Sequence, residues 1–167
     1  MTRLHQTINR IQRRERGERG FSLIELMIVI AIIGILIGVG VPAWRIIIRK
    51  GNETSAIQVL ETIRKEEQSY ALSHRGEFGT FDQLRKDGSL DERYDGDKPV
   101  INGYVFTIKV TPKSSNQPAT YTVNADPQVS EGIQATGKRH FYVDPNVSTT
   151  RENPEQPATA SDPPLAQ

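Results

Sequence analysis

The apolar residues of the chain are concentrated in one segment near its start. The 19 residues from Leu26 to Trp44 carry no charge, and extending the segment back to Phe21 gives 24 positions interrupted only by one Ser and one Glu. At 1.5 Å per residue, 24 helical positions span about 36 Å, which exceeds the roughly 30 Å of a bilayer's hydrocarbon core. This pattern predicts a membrane-spanning helix over residues 21–44.

After this segment, apolar residues recur at spacings of three and four, which is typical of one face of a helix. The members of this stripe are Ala56, Ile57, Leu60, Ile63, Tyr70 and Ala71. Glu67 interrupts the stripe, and basic residues followed by Gly76 indicate the end of the helix. The sequence therefore predicts one long helix from about Phe21 to about His74, with a kink where Pro42 removes a backbone donor.

A short helix and a sheet are predicted to follow. Thr80 and Gln83 have the spacing of a capping box, so we expect a short helix from Phe81 to Lys86. The apolar period then changes to two, as in strands, in the three segments GYVFTIKVT, TYTVNA and RHFYV. An antiparallel meander is the simplest topology, and the helical stripe is the element that can cover its apolar face. The predicted fold class is α+β, with a long N-terminal helix packed against a small antiparallel sheet of three or four strands.

The chain is thus expected to consist of four consecutive parts. These are a leader of residues 1–20, a transmembrane helix of residues 21–44, a head of residues 45–147 and a tail of residues 148–167. The tail is rich in Pro, Thr, Ser, Ala and Glu and offers almost no large apolar side chain. We expect it to be disordered, because such a segment buries too little apolar surface to order itself.

The charges are distributed unevenly between these parts. Residues 1–20 contain six Arg and two Glu, whereas the remaining chain contains 15 basic and 18 acidic residues. Basic residues beside a spanning helix favour the cytoplasmic side, so the leader is predicted in the cytoplasm and the head outside it. The net negative charge of residues 21–167 argues against nucleic acid as a partner, which requires a basic surface. The sequence contains no Cys, which excludes disulfides and thiolate chemistry.

The residues at the start of the apolar segment form a specific signature. The run Gly20-Phe21-Ser22-Leu23-Ile24-Glu25-Leu26-Met27 has basic residues before it and an apolar helix after it. It resembles the cleavage and methylation signal of type IV pilins and type II secretion pseudopilins. The resemblance implies a pilin fold, cleavage after Gly20 by a prepilin peptidase and methylation of the new N-terminal Phe21. It further implies a helical filament of this chain or other pilins, built by an inner-membrane assembly platform and an assembly ATPase.

Glu25 is the candidate residue for assembly. A carboxylate within a membrane helix costs about 2.5 to 3.5 kcal/mol on insertion scales, so a functional role is the default interpretation. The alternative is an interfacial acid that contacts only lipid headgroups or water. The resemblance implies that Glu25 of an incoming subunit pairs with the amine of Phe21 in the previous subunit and sets the axial register.

Small residues inside the apolar segment are candidates for helix packing. Gly34 and Gly38 form a G-x-x-x-G step, which allows membrane helices to approach closely, although Gly is common in such helices in general. The resemblance implies that the helix between a Gly and a Pro placed like Gly34 and Pro42 can loosen inside the filament. We therefore assign these three residues to helix packing or to a hinge.

An acidic loop over residues 87–97 is the candidate metal site. Carboxylates at this density are suited to Ca²⁺, and some secretion pseudopilins bind calcium in the head. The candidate ligands are Asp87, Asp91, Asp95 and Asp97. Their spacing differs from that of an EF-hand loop, so a solvated acidic loop is the favoured interpretation and no cofactor is expected. The sequence contains neither a G-x-S-x-G nor an H-E-x-x-H motif, and we do not expect an enzyme.

The sequence leaves more than one function open. The main prediction is a structural subunit of a type IV pilus or pilus-like filament, and the first alternative is a pseudopilin that builds a periplasmic piston for secretion. A signal-anchored periplasmic binding module would instead keep its leader and tolerate Glu25→Val. A secreted enzyme would need a small-x-small cleavage site after the apolar segment, and Gly38-Val39-Gly40 is a poor version of it.

Overall fold

The computed structural model describes residues 20–165 of the chain. Residues 1–19 of the predicted leader lie outside the described residues. The chain divides into two compact units between Gly40 and Val41. The first unit holds the beginning of helix α1, which runs over Leu23–Ser73, and the second unit holds the rest of this helix and every other described element.

The first half of α1 is apolar on all sides and is not covered by any other part of residues 20–165. Its large apolar side chains from Leu23 to Ile48 are all exposed, to between 45% and 76% of their surface. Among the described residues, α1 is the one helix long and apolar enough to cross a membrane, with a mean hydropathy of 2.8 in its most apolar window. Pro42 lies inside the helix, which continues on both sides of it. The predicted long helix is therefore confirmed.

The second half of α1 buries one face. The predicted stripe supplies Ala56, Leu60, Ile63 and Tyr70 to the core, and each of these side chains is at most 8% exposed. Such a stripe at helical spacing leaves the opposite face polar and solvated. The stripe packs against the sheet, as the α+β prediction requires.

Two short helical segments close one end of the head. Helix α2 covers Phe81–Lys86, and the Thr80 hydroxyl and the Gln83 side chain form the two reciprocal hydrogen bonds of a capping box. This confirms the predicted short helix and its start signal. A single 3₁₀ turn follows at Glu92–Tyr94, and Tyr94 packs into the core near Phe81, with their ring centroids 6.2 Å apart.

The sheet is an antiparallel meander in which each strand pairs with the next. The three predicted strands are confirmed, with alternate residues such as Phe106, Val123 and Phe141 fully buried against α1. The five strands are β1 Val100–Ile101, β2 Tyr104–Thr111, β3 Thr120–Pro127, β4 His140–Val143 and β5 Arg151–Asn153. The expected three or four strands are thus corrected to five. The two additional strands escape prediction because one has two residues and the other is entirely polar.

The predicted disorder of residues 148–167 is wrong for the part that the structure describes, which ends at residue 165. Strand β5 pairs with β4, and the Leu165 N–H donates to the Thr150 carbonyl at 2.8 Å. Ala158 is buried, its carbonyl accepts from the Asn124 amide, and Leu165 packs against the core. Backbone pairing and these few apolar contacts order the segment, although its composition offers little hydrophobic surface.

Candidate functional site

The predicted cleavage position lies at the beginning of the described residues and is accessible. Gly20 and Phe21 precede α1 without regular secondary structure, and the Phe21 side chain is 88% exposed. A peptidase needs an accessible segment outside regular secondary structure at the bond that it cuts. Gly20 and Phe21 meet that condition, and the cut itself remains a prediction.

Glu25 caps the helix on which it sits. Its Oε2 accepts a hydrogen bond from the Ser22 N–H at 2.8 Å, and the Ser22 carbonyl accepts from the Leu26 N–H. Ser22 and Glu25 thus form the S-x-x-E half of a capping box, and a carboxylate in the first turn is also favoured by the helix dipole. Sequence reasoning missed this role, although the spacing of Ser22 and Glu25 signals it. Glu25 is exposed and therefore accessible to a cationic partner from outside its own helix.

Of the three packing candidates, Gly34 and Gly38 have open space around them, whereas Pro42 borders a shallow surface pocket together with Ile133. A Cβ atom built on Gly34 or Gly38 would meet nothing within 4 Å outside the helix itself. These glycines are therefore not required by the packing of this subunit, and any packing role concerns another molecule. Pro42 is the second residue of the second compact unit and lies inside α1.

A polar junction joins the head half of α1 to the loop between β3 and β4, residues 128–139. The Arg49 guanidinium donates to the carbonyls of Gly132 at 2.8 Å and Ala135 at 3.1 Å. The Asn52 amide donates to the Thr136 carbonyl at 2.8 Å, and Arg45 donates to the Ile133 carbonyl. Arg45, Arg49 and Asn52 share one helix face because of their spacing, and that periodicity is the signal that the sequence interpretation left unused.

An ion pair extends the junction to the start of β4. Glu53 is 6% exposed and accepts from the Lys138 N–H and from the Arg139 guanidinium, with 2.8 Å between its Oε2 and Arg139 Nη2. Arg139 also pairs with Glu152 on β5. A buried carboxylate needs such partners, because desolvation of an unpaired charge is costly. The β3–β4 loop is therefore held rigidly on α1.

The residue that interrupts the apolar stripe is completely buried. Glu67 is 0% exposed, its Oε2 accepts from the Gly79 N–H at 2.9 Å, and its Oε1 has no hydrogen-bond partner among the described residues. Burial raises the pKa of Glu67 to about 7, against the opposing effect of the Gly79 hydrogen bond. Burial, together with the charge of Glu67, also raises the pKa of Tyr121 to about 12. This polar site was visible in the sequence only as a gap in the stripe.

Three of the four predicted metal ligands lie beside basic side chains. Both carboxylate oxygens of Asp91 accept hydrogen bonds from the Arg93 guanidinium, at 2.8 to 3.1 Å. These hydrogen bonds hold the pKa of Asp91 below its usual range. Asp95 pairs with Arg85, and Asp87 lies 3.9 Å from His74. Residues 20–165 contain no group of three or more carboxylate or imidazole side chains placed to share an ion. The structure therefore gives no support to the calcium hypothesis for Asp87, Asp91, Asp95 and Asp97.

Comparison with known proteins identifies a family motif in the N-terminal segment. The prokaryotic N-terminal methylation motif matches residues 16–41, which include the predicted cleavage position and most of the predicted spanning segment. This match confirms the resemblance inferred from the run that begins at Gly20.

The relatives found by sequence are pilins and a related protein. The chain is 44% identical to the prepilin peptidase-dependent protein D of Escherichia coli, over 35% of this chain and 40% of that protein. It is 35% identical to the type IV major pilin protein PilE of Neisseria gonorrhoeae, over 59% of each chain. It is 29% identical to the fimbrial protein EcpC of Eikenella corrodens, over 70% of this chain and 69% of that protein.

The extent of these matches is limited. The chain covers less than two thirds of the length of the first two relatives. No solved structure matches the chain significantly. The similarity is therefore clear for the N-terminal segment and incomplete for the head.

Proposed function

We propose that this chain, which carries the prepilin-type methylation motif and is a relative of type IV pilins, is a structural subunit of a type IV pilus or pilus-like filament. The observation that carries the proposal is the exposed apolar half of α1, which follows the motif's cleavage position and contains Glu25 as its only acidic residue. A helix with apolar side chains on every face requires lipid or other helices around it.

The first step of the proposed mechanism is insertion and processing. The apolar half of α1 enters the inner membrane with the leader on the cytoplasmic side and the head outside. A prepilin peptidase then cuts between Gly20 and Phe21, and the new amine of Phe21 is methylated. The membrane therefore holds a subunit with a cationic N-terminus and a carboxylate four residues later.

The second step is transfer of α1 from lipid into a bundle of identical helices. Lipid chains and apolar side chains are similar solvents, so the transfer loses little hydrophobic stabilisation and relies on close packing at positions such as Gly34 and Gly38. Glu25 gains the Phe21 amine of a neighbouring subunit, which lipid does not provide. An assembly platform and an assembly ATPase are the further partners of this step. Loosening of the helix between Gly34 and Pro42 would adapt it to the filament.

The pseudopilin alternative uses the same assembly chemistry and differs in the length and place of the filament. The similarity to the prepilin peptidase-dependent protein D, whose name specifies processing and not a surface pilus, supports this second function. Electron microscopy of filaments sheared from cells distinguishes the two functions. Long surface filaments containing this chain indicate a pilus, and their absence together with assembly in the periplasm indicates a pseudopilus.

The proposal is tested by following the N-terminus of the chain. The full chain is produced in cells with an active prepilin peptidase or with an inactive variant of it, and the membrane-bound product is analysed by mass spectrometry. We expect a chain that begins at methylated Phe21 only when the active peptidase is present. A chain that keeps residues 1–20 in both cases would support the anchored binding module, and a chain that begins after Val41 would support a secreted protein.

A further inference from the structure

The β3–β4 loop presents an apolar side chain beside the end of the predicted spanning segment. Ile133 lies at the tip of this loop and is 73% exposed. It borders a shallow surface pocket together with Val41, Pro42 and Ile46 of α1. Because Arg45 and Arg49 bind the backbone of this loop, the exposed position of Ile133 is fixed.

The stretch of α1 that borders this pocket is basic and also carries an aromatic side chain. Trp44 is the last residue of the uncharged segment and is 64% exposed. Arg45, Arg49 and Lys50 follow it directly, and Lys138 lies exposed at the other end of the loop. The acidic groups nearby are few: Glu131 is exposed in the loop, whereas Glu53 is already paired with Arg139.

We propose that this junction surface, formed by Val41, Pro42, Arg45, Ile46 and Ile133, docks together with the adjacent Trp44 on the headgroup region of an anionic phospholipid bilayer while the subunit is held in the membrane. The inference rests on the proposed function, since it requires α1 to be inserted. The new element is that the head itself contacts the lipid, through Ile133, which lies 89 residues after Trp44 in the sequence.

The position of the surface along α1 supports a lipid partner. The uncharged segment ends at Trp44, so the boundary between hydrocarbon and headgroups falls at this residue. Ile133 contacts the pocket formed by residues on both sides of Trp44, and therefore lies at the same level of the helix. Tryptophan is enriched at this boundary, and clustered Arg and Lys attract anionic headgroups.

The charges of this surface favour lipid over a second copy of the chain as its binding partner. A helix of a neighbouring copy would present another apolar surface, which gives no counter-charge to Arg45, Arg49 and Lys50. A phospholipid surface offers phosphate groups to these cations and acyl chains to Ile133 at the same depth. The docked loop would fix the orientation of the head above the membrane before extraction.

The absence of Cys from the sequence permits a direct test by single-site labelling. The full chain with Ile133→Cys is labelled with an environment-sensitive fluorophore and reconstituted into vesicles of phosphatidylcholine with phosphatidylglycerol. Brominated acyl chains act as the quencher within the bilayer. We expect a shift of the emission to shorter wavelength and a loss of intensity with brominated lipid. Both effects should weaken in vesicles of phosphatidylcholine alone, because the basic side chains lose their counter-charge.

Two further labelled variants separate this inference from the proposed function. Ile33→Cys reports insertion of the apolar segment, and Leu72→Cys is a control on a side chain that is 90% exposed near the opposite end of α1. Quenching at Ile33 and Ile133 but not at Leu72 supports the inference. Quenching at Ile33 alone overturns the inference and leaves membrane anchoring intact, whereas no quenching at Ile33 overturns both.

The remaining outcomes also decide the question. If the label at Ile133 is shielded from aqueous iodide but not quenched by brominated lipid, and the shielding increases with protein density, a second copy covers the surface and the inference is wrong. Equal quenching in neutral and anionic vesicles would overturn the assignment to anionic lipid.

Discussion

The two halves of helix α1 differ in how their apolar residues are used, although both have the same backbone geometry. From Leu23 to Ile48 the large apolar side chains surround the helix and remain exposed. From Ala56 to Tyr70 they occupy one face and form the core of the head. The head therefore folds with its own hydrophobic core, whereas the apolar side chains of the first half find no such cover in the described part of the chain.

A carboxylate interrupts the apolar pattern in each half, and the two carboxylates behave differently. Glu25 is exposed and caps the start of the helix through Ser22. Glu67 is completely buried, and burial raises its pKa to about 7. An acidic residue within an apolar pattern is thus an exposed helix cap in one case, for which we propose a partner in another subunit, and a buried polar site in the other. Substitutions in each half test this division.

The largest effect is expected from Glu25→Val, which should abolish filament assembly while the head remains folded. The substitution removes the partner of the neighbouring Phe21 amine, and it lies outside the core of the head. Sheared filaments are quantified by immunoblotting, and thermal unfolding of the head is followed by circular dichroism. Glu25→Gln is the matched control, because glutamine retains the capping hydrogen bond and lacks the charge. Normal assembly of Glu25→Gln would contradict the charge pairing.

The next effect concerns core packing in the second half of α1. Ile63 is 0% exposed, so Ile63→Ala is expected to lower the free energy of unfolding of the head by about 2 to 5 kcal/mol. The matched substitution Ile37→Ala, at a residue that is 58% exposed, should leave this value unchanged. Urea unfolding of both variants provides the measurement. Equal destabilisation would show that the first half of α1 also contributes to the core of the head.

A pH-dependent stability is expected from Glu67. Its pKa is about 7 in the folded head and 4.5 as its ordinary value, so the folded state binds a proton between these pH values and the unfolded state does not. The stability contributed by this group is therefore fully present below pH 4.5 and is lost as the pH rises to 7. The difference corresponds to about 3 kcal/mol, since each pKa unit is equivalent to roughly 1.4 kcal/mol.

Glu67→Gln tests this dependence. Glutamine cannot ionise, so the free energy of unfolding of the variant should vary less between pH 4.5 and 7 than that of the unmodified chain. Tyr121 also lies near this site, and its pKa of about 12 is well above this range. Parallel pH profiles of the two proteins would show that another group causes the dependence.

Much of the fold follows from the sequence, because periodicity reports burial directly. The stripe around Leu60 and the alternation around Phe106 each place apolar side chains in the core. The capping box at Thr80 was found in the same way, from the spacing of side chains that bond the local backbone. Features determined by local pattern are therefore predictable from one chain.

Features determined by long-range backbone pairing were not predictable. Strand β5 consists of Arg, Glu and Asn, and its hydrogen bonds with β4 and the ion pair between Glu152 and Arg139 order it. The junction between Arg49 and the β3–β4 loop joins residues more than 80 positions apart. For the acidic loop, composition suggested a metal site, and the actual partners of Asp91 and Asp95 are the cations Arg93 and Arg85.

The smallest effects are expected from two glycines of α1 that have open space around them. A Cβ atom at Gly51 or at Gly34 meets nothing within 4 Å, so alanine fits both positions in the single subunit. Gly51→Ala should raise the free energy of unfolding of the head by up to about 1 kcal/mol, through its higher helix propensity. Gly34→Ala should instead reduce the yield of sheared filaments, because the added methyl group separates neighbouring helices at the G-x-x-x-G step. Urea unfolding and immunoblotting of sheared filaments are applied to both variants. If Gly34→Ala assembles as well as Gly51→Ala, the glycines of the first half are not required for close packing, and the contrast between the halves then rests on their side-chain burial alone.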